Sequence, residues 1–357
     1  MDLTNVKPVF SIILPLSAAA PSPTETVNSI LSQTYKAFEL LIVTDGTEIP
    51  ELSYILQRAQ GDKRIRLLSA RSEGLRKSVQ EHETISPVSA INTGIFAARG
   101  DYIFFADAGD VLLPQALQTI YDRAVGPRRP DSVVIGFLTS ASDRTDLSFS
   151  YPAGFYSRET LEKGVFPYMV SDRRKKYYSA SPYPALFNRV TSRKLLLRHY
   201  CREVRVTQET AHAYIHECLL YSESAYFISD PLYIRTVLPW GRSYAADYFT
   251  SNMHLINYLT ERFSGDDIVS SQLPFLKAHL LLNALKNTAE SPAPVGEKTE
   301  HLAREIRDTF ALSDIDISAL PPRPRFELSL LKGGHYRAVL TLAEVKISMQ
   351  GMKGKLE

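Results

Sequence analysis

The chain has 357 residues, of which 44% are hydrophobic and 22% charged. That is ordinary globular composition, with room for one large domain plus an appendage, or for two domains. A formal net charge of +2 implies no polyanionic partner, so nucleic acid is not expected.

The elements follow in order. Val9–Leu16 is short, apolar and partly β-branched, which predicts a buried strand rather than a signal peptide. A loop of small residues leads to a helix carrying Val27, Ile30 and Leu31. Phe38–Val43 predicts a second buried strand, ending at Thr44, Asp45 and Gly46, and Arg64–Leu68 a third. Strands alternating with helices at this spacing argue for βαβ units and a mostly parallel sheet. Residues 70–87 are polar and without period, long for a connection in such a unit. A helix over 88–99 precedes the apolar run Tyr102–Ala106, which stops abruptly at Asp107 and Asp110. Val133–Leu138 is a further strand, and Tyr226–Arg235 reads as a strand broken by Pro231. Helical patterning dominates after Asp247, which sets a boundary near residue 240: a first domain over 1–240 and a helical region over 241–357. Cys201 and Cys218 form no CxxC pair, which argues against zinc or a disulfide framework and suits a reducing cytoplasm. No apolar run reaches the ~18 residues of a membrane span.

Several stretches carry a resemblance in combination. They are S-I-I-L-P-L at Ser11–Leu16, S-I-L-S-Q-T-Y at Ser29–Tyr35, F-E-L-L-I-V-T-D-G-T at Phe38–Thr47, and A-x-N-x-G-x-x-x-A-x-G-D-Y-I-F-F-x-D-x-x-D-x-x-x-P at Ala90–Pro114. Weaker matches follow in P-A-L-F-N-R at Pro184–Arg189 and D-P-L-Y-I-R at Asp230–Arg235. Over about residues 9 to 243 the chain resembles family 2 glycosyltransferases. The resemblance implies a GT-A fold: an α/β, Rossmann-like, mostly parallel sheet with flanking helices, here followed by a C-terminal helical extension. It implies that Pro15, Leu16, Ser17 and Asp45 contact the nucleoside, with Asp45 reading the base. Asp107 falls on the first acid of the DxD motif, near ribose and metal, with Ala108 beside it. The third position, the family's main metal-binding acid, is Gly109, and Asp110 follows as the fourth. Where the family places an Asp as catalytic base, the nearest match is Gln208-Glu209-Thr210, which leaves Glu209 as the candidate base.

The chemistry of the same residues is consistent with that reading. Sugar transfer from a nucleotide diphosphate develops negative charge on the leaving pyrophosphate, and Mg²⁺ or Mn²⁺ held by Asp107 and Asp110 would neutralise it. With Gly109 in place of an acid, either Asp110 swings in or a cationic side chain replaces the metal, with Arg71, Arg76, Lys77 or the Arg173–Lys176 run as candidates. The plainer alternative is that the two acids only cap a helix near Pro114, and that Asp45 is only a turn residue. Glu209 could equally be a solvated acid on a first helical turn, with Asp172 and Glu217 as fallback bases. His212 and His216 lie four apart but lack the context of a metal site, which favours packing or surface roles. Trp240 either stacks on an acceptor sugar or anchors the tail. In the tail, Tyr336, Val339, Leu340, Ala343 and Ile347 form an apolar stripe with lysines nearby, suited to an anionic membrane, to the protein's own core or to a dimer partner.

The expected function is inverting glycosyl transfer (hexosyl or N-acetylhexosaminyl) from a UDP-linked donor to a cell-surface glycan or its lipid-linked precursor. The protein would be cytoplasmic and peripheral at the inner face of the membrane. The alternative is a catalytically degenerate subunit that scaffolds an active glycosyltransferase, because Thr44, Ile91, Gly109 and Thr210 all depart from the family pattern. A homo-oligomer or a partner glycosyltransferase fits either reading.

Overall fold

The strands at the centre of the molecule, β1 (Phe10–Leu16) and β2 (Phe38–Thr44), have almost no polar face. Continuous apolar strands of this kind need cover on both sides, which is the condition of a parallel sheet between helices. A computed structural model describes residues 7–17, 22–44, 51–70, 86–140, 151–170, 186–207, 213–214, 218–236, 244–309, 315, 317–318 and 320–353.

Among the described residues, the remaining strands are β3 (Ile65–Ser69), β4 (Tyr102–Phe105), β5 (Val111–Leu112), β6 (Ser132–Thr139), β7 (Gly154–Ser157), β8 (Arg189–Ser192) and β9 (Ser224–Arg235). They form one sheet in the order β3-β2-β1-β4-β8-β6-β9-β5, with β7 paired to β9. Pairing is parallel across β3-β2-β1-β4 and again between β6 and β9, while β8, β5 and β7 pair antiparallel. The sheet is therefore mixed, with its parallel part where the alternation of strand and helix is clearest in the sequence.

Two layers cover it. On one face, Phe10, Ile12, Leu14 and Leu16 of β1 join a core with Val27 and Ile30 of α1 (Thr24–Leu31) and Ile55 of α2 (Leu52–Gly61). Leu117 and Ile120 of α4 (Ala116–Ile120) belong to the same core. The other face takes α3 (Pro87–Ala97), which packs against β1, β2 and β3. The alternation along β1 follows from the period of two in a strand. Two short helices, α5 (Arg158–Gly164) and α6 (Arg193–Arg198), also belong to this part.

β9 does not stop at Pro231. It continues through it with a bulge, and Gly136 of β6 lies opposite Pro231. A Cβ on Gly136 would come within 2.6 Å of the carbonyl oxygens of Ser229 and Asp230, so only glycine lets the bulged strand approach this closely.

Contacts divide the chain into two units. The first holds residues 1–165, 184–205 and 210–238, and the second 166–183, 206–209 and 239–357. The second unit is helical: α7 (Tyr248–Arg262), α8 (Leu273–Glu290), α9 (Val295–Thr309), α10 (Pro322–Lys332) and α11 (Tyr336–Lys353). Within it α11 packs against α8, α9 and α10. Val339 and Leu340 of the predicted stripe are fully buried there, while Tyr336, Ala343 and Ile347 are half-buried. The stripe is internal packing. The exposed apolar side chains of α11 are others, Leu342, Val345 and Met349. Among the described residues no helix is long and apolar enough to cross a membrane.

Candidate active site

β1 and β4 run side by side only as far as the pairs Phe10–Tyr102 to Ile13–Phe105. A last bond joins the Ala106 amide to the Ile13 carbonyl at 2.9 Å, and the two chains then part. Pro15, which has no N–H to donate, sits where β4 no longer pairs with β1. Pro15 and Ser17 are half-buried and Leu16 is buried on one side of the opening, and Asp107 and Ala108 lie on the other. A crevice at the carboxyl ends of strands, where chain order switches direction, is where open α/β sheets bind ligands.

The acids sit on a tight turn. The Asp110 amide donates to the Asp107 carbonyl at 3.2 Å, and Gly109 at the third position has φ +89°, as a type II turn requires. Gly109 is therefore more than a missing ligand, because this turn calls for a glycine. Three side chains of the S-I-L-S-Q-T-Y segment and its approach hold it in place. Thr26 Oγ1 donates to the Asp110 carbonyl at 2.7 Å. Ser29 Oγ accepts from the Leu112 amide at 3.1 Å. Gln33 donates to the Leu113 carbonyl at 2.7 Å and accepts from the Leu117 amide at 3.1 Å.

The two acids differ in environment. Asp110 is 3% exposed; its Oδ1 accepts from the Thr236 amide at 2.8 Å, whereas Oδ2 is buried without a hydrogen-bond partner. Burial raises its pKa to about 7; the Thr236 bond, the nearby Tyr233 hydroxyl and the Arg235 charge oppose the rise, and the Asp107 charge adds to it. Asp107 is also pushed upward by desolvation, against the pull of Arg235. Its side chain is exposed, however, and solvent contact offsets much of that penalty, so Asp107 is the more accessible carboxylate of the pair.

β9 completes the corner from far along the chain, Tyr233 lying 126 residues beyond Asp107. Its end pairs with β5 so that Leu112 faces Tyr233 and Val111 faces Ile234. The Tyr233 hydroxyl accepts from the Asp107 amide at 3.1 Å, and burial together with both acids keeps that hydroxyl protonated. Phe187 stacks on Tyr233 at 5.1 Å, and the Arg235 guanidinium lies 5.1 Å over the Phe187 ring. Thr236 Oγ1 donates to the Gly109 carbonyl at 2.6 Å. Sequence reasoning singled out none of Thr26, Gln33, Tyr233, Arg235 or Thr236. The available signal was D-P-L-Y-I-R, in which Tyr233 and Arg235, two apart, share a strand face.

The structure thus brings together Asp107, Ala108 and Asp110 at the edge that also carries Pro15–Ser17. Asp45, Glu209 and Trp240 lie outside the described residues, as do Arg71, Arg76, Lys77, Asp172, the Arg173–Lys176 run, Thr210, His212, His216 and Glu217. Asn92 of the A-x-N-x-G segment serves packing. It donates to the Cys201 carbonyl at 2.8 Å and accepts from the Tyr214 hydroxyl at 2.6 Å.

The family model described as Glycosyl transferase family 2 matches residues 11–205. The chain belongs to glycosyltransferase family 2. Among its curated relatives within this group is the uncharacterized glycosyltransferase EpsJ of Bacillus subtilis, 34% identical over 137 residues, which is 38% of this chain and 36% of that protein. Glycosyltransferase GlyG of Streptococcus pneumoniae is 24% identical over 233 residues, 63% of this chain and 70% of that protein. The O-antigen biosynthesis protein RfbC of Myxococcus xanthus is matched over only 8% of its length, so the chain spans a minor part of several of these relatives. In three dimensions it is similar to S. aureus TarS 1–349 in complex with UDP-GlcNAc, with TM-score 0.62 and 14% identity over 96% of this chain and 92% of that one. That likeness establishes the GT-A fold with its helical C-terminal region.

A divalent cation is common to this fold, and two features of the family 2 corner suit one. Asp107 offers an exposed carboxylate, and the orphaned Oδ2 of Asp110 is an oxygen in need of a partner. Among the described residues no group of three or more His, Cys, Asp or Glu residues gathers to hold a metal, so bound phosphate oxygens would have to fill the remaining positions.

Proposed function

We propose that this protein is an inverting glycosyltransferase that moves a hexosyl or N-acetylhexosaminyl group from a UDP-linked donor to a cell-surface glycan or its lipid-linked precursor. The observation that carries the reading is the Asp107–Asp110 turn, held at the crevice where β1 and β4 part, in a chain of family 2. TarS, which shares the fold, has been captured with UDP-GlcNAc, and the donor class is taken from that likeness.

In this reading Asp45 reads the base, and Pro15–Ser17 and Ala108 line the nucleoside. Asp107 and Asp110 hold the diphosphate side through Mg²⁺ or Mn²⁺, which when bound stabilises charge on the leaving group. Glu209 accepts the proton of the acceptor hydroxyl as its oxygen bonds to the anomeric carbon. The bond from that carbon to the β-phosphate oxygen breaks on the opposite side, and the nucleoside diphosphate departs. Trp240 offers a flat apolar face to the acceptor. The catalytic domain is assigned to residues 1–240 and the helical region to 241–357. We place the protein in the cytoplasm, peripheral to the inner face of the membrane where lipid-linked acceptors are presented.

A thermal-shift panel of UDP, GDP, CDP and TDP, with and without Mn²⁺, tests the donor site. UDP is expected to raise the melting temperature, Mn²⁺ to enlarge the effect, and Asp107→Ala to abolish it. At ligand one hundredfold above Kd the gain is about 2.7 kcal/mol. Four nucleotides that leave the melting temperature unmoved would overturn the reading. Slow hydrolysis of a UDP-sugar without acceptor marks an enzyme, and UDP binding without any hydrolysis marks a degenerate scaffold instead.

A further inference from the structure

Arg235 is held in an unusual way for an exposed arginine beside two acids. Among the described residues no hydrogen bond or ion pair engages its guanidinium. What holds it is the Phe187 ring below, at 5.1 Å, itself stacked on buried Tyr233. Stacking leaves its five N–H donors unused, whereas a bidentate salt bridge would have taken two of them.

The backbone on either side of it is fixed. The carbonyl of Arg235 accepts from the Ser140 amide at 2.9 Å, and Thr236 is bound to both Asp110 and Gly109. Extending the β5–β9 register by one residue sets Arg235 opposite Asp110. Both Asp107 and Asp110 lie within its field. A pre-placed, unpaired guanidinium over an acid turn is a fork for an oxyanion. Its chain neighbour Thr236 is bonded to the Gly109 carbonyl, so Arg235 adjoins the turn in which Gly109 supplies no carboxylate for a metal.

We propose that Arg235 binds the diphosphate of the donor directly and supplies positive charge that the Gly109 position does not recruit through a metal. The inference rests on the donor reading above and deepens it: the cation comes from the end of β9. It does not come from the polar loop after β3 or from the Arg173–Lys176 run. Phe187 acts as the platform, and Tyr233 ties that platform to the Asp107 amide.

The test compares UDP with UMP by calorimetry on the full chain, in EDTA and in Mn²⁺, for the parent, Arg235→Gln and Arg235→Lys. The parent is expected to retain a preference for UDP over UMP in EDTA. Arg235→Gln should weaken UDP about 10- to 100-fold, as expected for losing a charge-assisted pair, and leave UMP unchanged. Arg235→Lys should fall between, because a point charge lacks the planar fork. An unaltered UDP-to-UMP ratio in Arg235→Gln, or a parent that loses all UDP preference in EDTA, would overturn the inference while leaving the donor site intact. A parent that binds neither nucleotide would remove the donor reading, and this inference with it.

Discussion

Gly109 is a position where backbone and chemistry are coupled. The sequence presents it as a lost carboxylate, and the structure adds φ +89° on a turn closed by the Asp110 amide. Restoring the acid is therefore not a free exchange. Gly109→Asp is expected to lower stability by about 1–2 kcal/mol, the usual penalty for a side chain at positive φ. Urea midpoints measure it, and a variant as stable as its parent would show that the turn does not need glycine. Asp110 makes a separate prediction. Its folded pKa is raised to about 7, against roughly 3.9 when unfolded. Below about pH 4 both states are protonated and the group imposes no penalty. As pH rises to about 7 the unfolded state ionises first and stability falls, and above that the loss is complete. Asp110→Asn does not titrate, so in EDTA its midpoint should gain on the parent between pH 4 and 7 and then run level. A constant difference across that range would contradict the burial of this carboxyl.

The same separation of local from distant information holds for the elements. β1, β2 and β4 are legible because strands buried on both faces are almost wholly apolar, and that property needs no partner to be recognised. The acid turn is legible because it ends such a strand. Tyr233 and Arg235 were not, since their part depends on pairing with β5 across the sheet, and the local pattern of Asp230–Arg235 gives only the strand face they share. The tail shows what periodicity can and cannot decide. It picked out the stripe of α11 correctly, but a stripe does not say what covers it, and here α8, α9 and α10 do. Leu340→Ala is accordingly expected to destabilise by about 2–5 kcal/mol. Met349→Ser, 54% exposed on the same helix in the parent, should stay within about 0.5 kcal/mol. Chemical denaturation of both variants decides it, and equal effects would mean that α11 packs on a different face.

At the scale of the molecule, the amino-terminal parallel strands provide the crevice, α1 fixes the acid turn, and β9 returns late in the chain to finish the corner. How β9 arrives depends on the bulge. Between the pairs Ile135–Ile228 and Phe137–Tyr233, β6 advances two residues while β9 advances five. The surplus is three, an odd number. Side chains alternate along a strand, so an odd surplus inverts which of them face the core. Before the bulge, Tyr226 and Ile228 look into the main cluster; Leu232 joins it at the exit of the bulge, and Tyr233 follows, with Arg235 two steps on. Had the surplus been even, Ile234 would point at Phe137 and Phe187, and the aromatic platform would have no cation above it. The chemistry of this corner is thus set by the parity of a loop-out near Pro231. Length variation there is tolerable only in steps of two.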